Sequence, residues 1–349
     1  FYELGVTLLK WHGILTFITS NKWMRAAYGK ALRNFFLESA NTIKVIDFAG
    51  NKVFKSATVD VNIMILEKIK SFENKKSEQA ISACTIKENC SNNMSDYIER
   101  NAVFTHFEVG ESWAILSPIE QSIKKKIEAV GKPLKDWDVK IYRGILTGCN
   151  EAFIIDGAKK DELIKKDPKS AEIIRPILRG KDIKRYGYDF HDKWLILTHN
   201  GLKEKNIPPV DVTKYPAIKE HLDQFYPQLA KRQDKGGTPY NLRNCAYMED
   251  FNKQKIVWKR VGSILRFGLD NNGYMCLDST CFAIGKDLDY LVCFFNSNIG
   301  NYLLQKSPQT GTGDLLISVQ ALEPILVYRE YDSRLFKNII KTNYNISKE

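Results

Sequence analysis

Residues 13–67 decide the fold of the N-terminal part of the chain: GILTFITS (13–20), NKWMRAAYGKALRNFFLE (21–38), IKVIDFAG (43–50) and TVDVNIMIL (58–66). The first, third and fourth segments are short, apolar and rich in β-branched residues, which is typical of strands. The second segment has apolar residues at helical spacing and a face rich in Lys and Arg. The order of the segments therefore predicts β-α-β-loop-β and an α/β fold.

The segment before residue 13, FYELGVTLLKWH, is apolar-periodic and contains no strand followed by a glycine-rich turn. Open α/β sheets bind phosphates and nucleotides at such a turn. We therefore expect residues 1–70 to be the C-terminal portion of a Rossmann-like sheet. The missing portion, and with it the chemistry of the parent protein, is expected upstream of Phe1.

The composition is that of an ordinary globular protein, with 44% hydrophobic and 27% charged residues among 349. This length and composition predict two domains. No apolar run reaches the roughly 18 residues that cross a bilayer, and no signal peptide is visible. The seven cysteines include no CxxC pair, so we expect no zinc or other metal site, reduced thiols and a cytoplasmic location.

A polar, charged connector is expected over residues 71–95, and a second composition follows it. Residues 96–330 are predicted to form a mixed α+β domain, and residues 331–349 a charged C-terminal tail. Within the second domain, residues 170–178 and 215–230 have patterns that favour helices.

The formal net charge of +11 favours an acidic partner, and nucleic acid is the commonest such partner. Residues 181–270 contain 17 Lys or Arg and 11 Asp or Glu, a surplus of six positive charges. Phosphates bind such charges, and arginine and asparagine side chains pair with base edges. The candidate DNA-binding residues here lie in the loop 231–243 and at strand ends: Lys231, Arg232, Lys235, Tyr240, Asn241, Arg243, Lys259, Arg260 and Arg266. For each basic residue alone, a solvated surface charge is the alternative.

The segment RGILTGCN (143–150) contains two glycines, which allow the main chain to approach a ligand closely. Its polar residues Arg143, Thr147 and Asn150 are candidates for contact with a phosphate or a base edge. The alternative is a turn within the fold.

Phe54 follows Val53 between two segments of strand type. An aromatic ring at the carboxyl end of an α/β sheet offers a stacking face to a planar ligand, such as a base taken out of a duplex. The alternative from position alone is a core aromatic that covers the sheet.

Several blocks in order resemble one family. GILTFITSNKWMRAAYGKALRNFF and VIDFAGNKVFKSATVDVNIMILEK resemble the later motifs of Taq-type adenine-N6 DNA methyltransferases, which are fused into single-chain type II (IIG) restriction-modification enzymes. The blocks IYRGILTGCNEAFII, IIRPILRGKDIKRY, TPYNLRNCAY, KIVWKR, YMCLDSTCFAI and YLVCFFNSNIGNYLL resemble the target-recognition domain of these enzymes.

The resemblance implies that the parent transfers a methyl group from S-adenosylmethionine to adenine N6 in double-stranded DNA after base flipping. It also implies that Phe54 stacks on the flipped adenine. The family's Asn-Pro-Pro-Tyr motif and glycine-rich cofactor loop are absent from this sequence. We therefore expect the cofactor, the catalytic residues and any nuclease in an upstream region of the same polypeptide, and this chain alone to be inactive.

Three other interpretations stay open. The chain is a DNA specificity subunit without enzymatic activity, a fragment of an RNA or protein methyltransferase, or a basic structural domain without a nucleic-acid partner. The dependence of binding on salt, and competition between duplex DNA and RNA, distinguish them.

Overall fold

The computed structural model describes residues 1–49, 53–54, 59–69, 80–86, 93–305, 307–308, 310, 314–328 and 333–346. The chain divides into two compact units, Phe1–Ala129 and Val130–Glu349. The functional limits expected near residues 70, 95 and 330 stay a prediction.

The first unit alternates helices and strands in its first half and adds two further strands in its second. Its elements are α1 (Tyr2–Leu8), β1 (Ile14–Ser20), α2 (Lys30–Ser39), β2 (Ala40–Asp47), β3 (Val61–Lys68), β4 (Ile81–Thr85), α3 (Met94–Asn101), β5 (Val103–Thr105) and α4 (Pro118–Val130).

The five strands of the first unit form one sheet in the order β1-β3-β2-β4-β5. Since β3 pairs antiparallel with both β1 and β2, those two strands run parallel to each other, and α2 lies in the crossover between them. β2 also pairs parallel with β4. The carboxyl ends of β1, β2 and β4 therefore meet at one edge of the sheet.

Successive residues of β2 serve two different cores, as the alternation of side chains along a strand requires. Val45 packs in a cluster with Tyr2 of α1 and Phe36 of α2. The next residue, Ile46, belongs to a cluster on which Ile98 of α3 packs. Both faces of the sheet are thus covered.

The strands predicted from the first unit's sequence are confirmed as β1, β2 and β3. The predicted helix is confirmed only as α2, because its first half forms the 3₁₀ helices Asn21–Met24 and Ala27–Gly29. The buried guanidinium of Arg33 donates to the carbonyls of Trp23 at 2.6 Å and Ala26 at 2.9 Å. A buried side chain therefore satisfies both carbonyls, and that of Ala26 also accepts from the Gly29 amide at 3.1 Å.

The second unit contains many short elements. Its helices are α5 (Asn150–Phe153), α6 (Gly157–Lys166), α7 (Pro216–Asp223), α8 (Tyr226–Lys231), α9 (Leu288–Asn296), α10 (Asn298–Leu304), α11 (Val319–Leu322) and α12 (Ser333–Ile346). Its strands are β6 (Lys132–Pro133), β7 (Val139–Arg143), β8 (Ile154–Asp156), β9 (Ile174–Leu178), β10 (Lys193–Ile196), β11 (Lys255–Lys259), β12 (Val261–Gly262), β13 (Phe267–Asp270), β14 (Met275–Cys276), β15 (Thr280–Gly285), β16 (Leu315–Leu316) and β17 (Leu326–Val327).

Two four-stranded sheets organise the second unit: the central sheet, β13-β11-β15-β7, and a second sheet, β14-β9-β10-β8. The central sheet has a hydrophobic core on each face. On one face, Val257 and Phe282 share a cluster with side chains of the second sheet and of α6, α7 and α8. On the other face, Trp258 and Cys281 share a cluster with side chains of α9 and α10. The predicted mixed α/β fold class is confirmed.

Two helix predictions in this unit change. The helix predicted over residues 170–178 is wrong, because residues 174–178 form β9. Pro176 lies within that strand, and a proline has no N–H for a helix interior and clashes with the preceding turn. The helix predicted over residues 215–230 is divided into α7 and α8, and Pro227 stands in the first turn of α8.

Candidate nucleic-acid interface

One end of the central sheet collects positive charge. β7 and β11 both pair antiparallel with β15, so they run parallel to each other and end on the same side, at Arg143 and Lys259. β13 and β15 begin at that end, and Arg260 and Arg266 lie next to it along the chain. We call these four residues, Arg143, Lys259, Arg260 and Arg266, the basic edge. The fold brings together residues that are up to 123 positions apart in sequence.

The buried thiol of Cys281 lies close to the basic edge, on a strand of the same sheet. It lies opposite both Arg143 and Trp258 in the strand register. Burial raises the pKa of this thiol to about 11, and the charges of Arg260 and Arg143 act in the opposite direction. Both guanidinium groups are therefore close enough to Cys281 for their fields to act on one buried atom.

Arg143 has a fixed backbone. The Tyr247 hydroxyl donates to the Arg143 carbonyl at 3.0 Å, and the Tyr247 ring stacks on that of Tyr142 with centroids 4.2 Å apart. The following residue must be glycine, because a Cβ at Gly144 would lie 2.1 Å from the Leu277 carbonyl oxygen. The start of the 143–150 segment is thus held against the core.

Within the same segment, Thr147 turns inward and Asn150 stays exposed. The Thr147 hydroxyl donates to Asn150 Oδ1 at 2.6 Å and accepts from the Cys149 amide at 3.2 Å. Thr147 has only 2% of its surface exposed, so its polar atoms are occupied within the turn. Gly148 has φ +67°, a conformation that favours glycine.

Arg232 ties the turn to the loop 231–243. Its buried guanidinium donates to the carbonyls of Thr147, Asp234, Pro239 and Asn241, and it lies 4.7 Å from the centre of the Phe153 ring. Burial lowers the pKa of this guanidinium, and the carbonyls compensate for its lost hydration. In this conformation Arg232 faces the protein interior.

Asn241 is likewise buried and hydrogen-bonded within the protein. It is 2% exposed, its amide donates to the Val210 carbonyl at 2.9 Å, and its Oδ1 accepts from the Thr238 hydroxyl at 2.6 Å. The Gly236 amide donates to the Asn241 carbonyl at 2.9 Å. Because Thr147, Arg232 and Asn241 are engaged internally, direct contact with a nucleic acid is expected of their exposed neighbours.

The exposed cations of the loop are Lys231, Lys235 and Arg243. Lys235 Nζ donates to the Ala230 carbonyl at 2.8 Å, and Arg243 pairs with Asp234 at 3.1 Å. The Tyr240 hydroxyl donates to an Asp223 carboxylate oxygen at 2.5 Å, and its ring is half-buried. Three cations and one aromatic ring thus line the outside of a well-bonded loop.

Phe54 belongs to the first unit, in the connection between β2 and β3 that starts at the carboxyl edge of the sheet. Its side chain is 44% exposed, so it is not a core aromatic. The connection starts at a fixed point, since the buried carboxylate of Asp47 accepts from Asn21 Nδ2 at 2.7 Å and from the Ala49 amide at 3.1 Å. Lys55 and the residues up to 58 lie outside the described residues.

Sequence reasoning missed three residues that shape this interface: Asp278, which pairs with Arg143, Tyr247, which supports it, and Asn200, whose Oδ1 accepts from the Gly237 amide at 2.7 Å. A polar residue shortly after a strand, as Asp278 is two residues after β14, is a weak signal that pointed to it. The other two act across long sequence separations and leave no local pattern.

Within the described ranges, no group of three His, Cys, Asp or Glu side chains is arranged to hold a metal ion. No helix in that part of the chain has the length and apolarity to cross a membrane. The cysteines that the structure describes are free thiols.

Two family models match the chain. Residues 1–54 match the Eco57I restriction-modification methylase, and residues 175–325 match the TaqI-like C-terminal specificity domain. The chain therefore joins a segment of restriction-modification methylase type to a TaqI-like specificity domain, and the resemblance inferred from its sequence is confirmed. The loop 231–243 and three of the four residues of the basic edge lie inside the second match.

Two individual proteins give the likeness more detail. The type II methyltransferase M.BstVI of Geobacillus stearothermophilus is 23% identical over 243 residues, which cover 64% of this chain and 40% of that protein. The solved structure of the type IIL restriction-modification enzyme MmeI in complex with DNA has a TM-score of 0.57 at 10% identity, covering 96% of this chain and 42% of that one. The second likeness concerns the fold alone. The chain spans less than half the length of both proteins.

Proposed function

We propose that this chain provides target recognition and base stacking for a type II restriction-modification enzyme that methylates adenine N6 in double-stranded DNA. The basic edge carries the proposal, because four cations meet at one end of a sheet in the unit that matches a specificity domain. Duplex DNA is dense in negative charge and binds proteins that neutralise its phosphates. In functional terms we assign residues 1–70 to the methyltransferase, 71–95 to a connector and 96–330 to target recognition.

The exposed cations fall into two groups with different tasks. Lys231, Lys235 and Lys259 are exposed and flexible, which suits contact with phosphates and gives affinity without sequence preference. Arginine side chains make paired hydrogen bonds in a fixed plane, which suits base edges. Arg143 and Arg243 are each held by a carboxylate, and Asn150 is exposed in the same segment as the first of them. These three side chains are the proposed readers.

Phe54 is the proposed stacking residue. An enzyme that modifies a base inside a duplex has to take that base out of the stack, and an aromatic face replaces part of the lost stacking. The exposed ring of Phe54 and its place after the carboxyl edge of the sheet support this role. A stacked base contributes roughly 1–3 kcal/mol.

S-adenosylmethionine would supply the methyl group, but the residues of this chain do not fit a site for it. β1 passes directly into the 3₁₀ helix Asn21–Met24 without a glycine-rich turn. The Asn-Pro-Pro-Tyr motif is absent from the sequence. We therefore assign no step through the cofactor to these residues, and we expect no transfer of a labelled methyl group to DNA by this chain alone. Methyl transfer by the isolated chain would contradict that assignment.

The proposal is tested by the salt dependence of duplex binding. We expect log K to fall linearly with log [salt], with a slope of about −0.9 for each phosphate neutralised. Lys259→Ala and Arg266→Ala should each reduce that slope by about one. The control is Lys286→Ala, because Lys286 follows the opposite end of β15 and is exposed in its pair with Asp138.

Three results would contradict the proposal. Binding that does not change with salt would favour a basic structural domain. Tighter binding of structured RNA than of duplex DNA would favour an RNA methyltransferase fragment. An equal loss of slope in Lys286→Ala would mean that charge anywhere on the surface suffices, and that the basic edge has no special role.

A further inference from the structure

Arg143 and Asp278 form an ion pair at the surface, at the end of β7. Nη2 of Arg143 lies 3.3 Å from Oδ2 of Asp278, and both side chains are 36% exposed. We infer that this pair is a guanine reader in which Asp278 is a positioning residue that holds the Arg143 guanidinium toward the major-groove edge of one base. The inference rests on the DNA binding proposed above and goes beyond it by naming the base and the residue that orients its reader.

Both members of the pair stand on fixed backbone. Arg143 pairs with Cys281 in the β7–β15 register, and its carbonyl accepts from the Tyr247 hydroxyl. The amide of Asp278 donates to the Ile145 carbonyl at 2.9 Å. The separation of the two Cα atoms is therefore set by the sheet, and only the side-chain torsions remain to be fixed by the ion pair.

The pairing leaves the outer fork of the guanidinium available. One proton of Nη2 points to Asp278, and Nε is enclosed without a partner. Within the described residues, no hydrogen bond involves Nη1 of Arg143. Guanine presents two neighbouring acceptors, O6 and N7, to the major groove, and an arginine fork matches them bidentately. Adenine and the pyrimidines place a donor or a single acceptor there.

The Asp278 carboxylate also makes Arg143 better suited to bind a base than a phosphate. Asp278 neutralises the charge of Arg143 locally, which weakens attraction to phosphates, and its own charge repels them. A fixed fork keeps its geometric fit to two acceptors, because hydrogen bonding depends on direction as well as charge. Among the described residues, Lys259, Arg260 and Arg266 form no ion pair. Of the four residues of the basic edge, Arg143 is thus the one suited to reading a base.

The experiment is selection of bound sequences from a random pool of DNA duplexes by the 349-residue chain. The wild-type chain should select a motif that contains at least one guanine. Arg143→Ala and Asp278→Asn should both relax the same guanine position, lowering the preference there by about 5- to 100-fold and leaving the other positions unchanged. Arg143→Lys keeps the charge without the fork and should also lower the preference for this guanine. Asp278→Glu keeps the carboxylate and should keep the preference.

The matched control is Asp189→Asn. Asp189 pairs with Lys184 at 3.3 Å, and these side chains are 40% and 37% exposed, so the pair resembles that of Arg143 in distance and exposure. It lies outside the basic edge and should leave the motif unchanged. An effect of Asp278→Asn on all positions, on none, or on a position different from that of Arg143→Ala would overturn the inference. A wild-type chain that selects no motif and shows no salt-dependent binding would instead refute the proposed function.

Discussion

Lys255 and Asp270 face each other across β11 and β13, and neither side chain has any exposure to solvent. Lys255 Nζ also donates to the Phe251 carbonyl at 2.5 Å. Asp270 accepts from the Tyr188 hydroxyl at 2.8 Å and from the Tyr274 amide at 3.0 Å. The carboxylate thus joins the central sheet to the segments that carry the two tyrosines, and burial together with Asp270 raises the pKa of the Tyr188 phenol.

We expect Lys255→Met to lower the free energy of unfolding by about 3–5 kcal/mol, because it leaves a buried carboxylate without its cation. Urea denaturation followed by tryptophan fluorescence measures the change. The control is Lys286→Met, which removes an exposed pair with Asp138 at 3.0 Å and should cost less than ~1 kcal/mol. Equal effects of the two variants on the free energy of unfolding would show that the buried pair contributes no more to stability than the exposed one.

Arg232→Ala should destabilise the loop 231–243 and the turn that it contacts. The variant removes four hydrogen bonds to carbonyls and leaves those groups to find other partners, at a cost of about 2–4 kcal/mol. Hydrogen exchange of the Gly236 and Gly237 amides should become faster. Arg243→Ala, which removes a more exposed pair with Asp234, should leave that exchange nearly unchanged. Unaltered protection in Arg232→Ala would disprove the tethering role.

We expect protonation of His221 to make the second unit less stable as the pH falls. It is 6% exposed, its Nε2 lies 2.9 Å from the Ala152 carbonyl oxygen, and burial lowers its pKa below the ordinary value. Below about pH 6.5 the unfolded chain takes up a proton that the folded chain resists, so stability present above that pH is lost as the pH falls through the folded-state pKa.

The slope attributable to one such group is at most about 1.4 kcal/mol per pH unit. His221→Gln keeps a donor for the Ala152 carbonyl and should flatten the dependence of the urea midpoint between pH 7 and pH 5. Part of the slope should remain, because burial also lowers the pKa of His199. The same slope with and without the substitution would refute this assignment.

In the complete enzyme, Phe54→Ala should weaken capture of an extruded adenine by about 1–3 kcal/mol, and Phe54→Trp should preserve it. A 2-aminopurine at the target position gives the measurement, since its fluorescence rises when it leaves the stack. The neighbouring Val53 is 41% exposed, so Val53→Ala is a control of similar exposure without a ring. Full fluorescence enhancement in Phe54→Ala would exclude the stacking role.

The sequence predicted the elements whose patterns are local. β1, β2 and β3 were predictable because each lies in a short segment rich in apolar and β-branched residues, and the basic character of the second unit follows from counting charges. The helix predicted over residues 170–178 is wrong because Pro176 opposes a helix, although the spacing of the apolar residues favours one. Local patterns give an element's type only where no single residue opposes it.

The direction of individual side chains was not predictable. Arg232 and Lys235 stand three residues apart in one basic loop, yet one is buried and the other exposed. What decides the difference is a contact between Arg232 and Thr147, 85 residues away in the sequence. The basic edge likewise depends on the order of strands in the central sheet, which no segment of the sequence specifies by itself.

The loop 231–243 separates the residues that hold it from those that face outward. Its closure rests on Arg232, Asn241 and main-chain bonds such as that from Gly236, while the exposed side chains add one hydrogen bond from Lys235 and one ion pair of Arg243. Substitution of the outward side chains is therefore expected to leave the scaffold folded. Under the proposed function, single substitutions at these positions would change which sequence the surface reads without requiring compensating changes in the core.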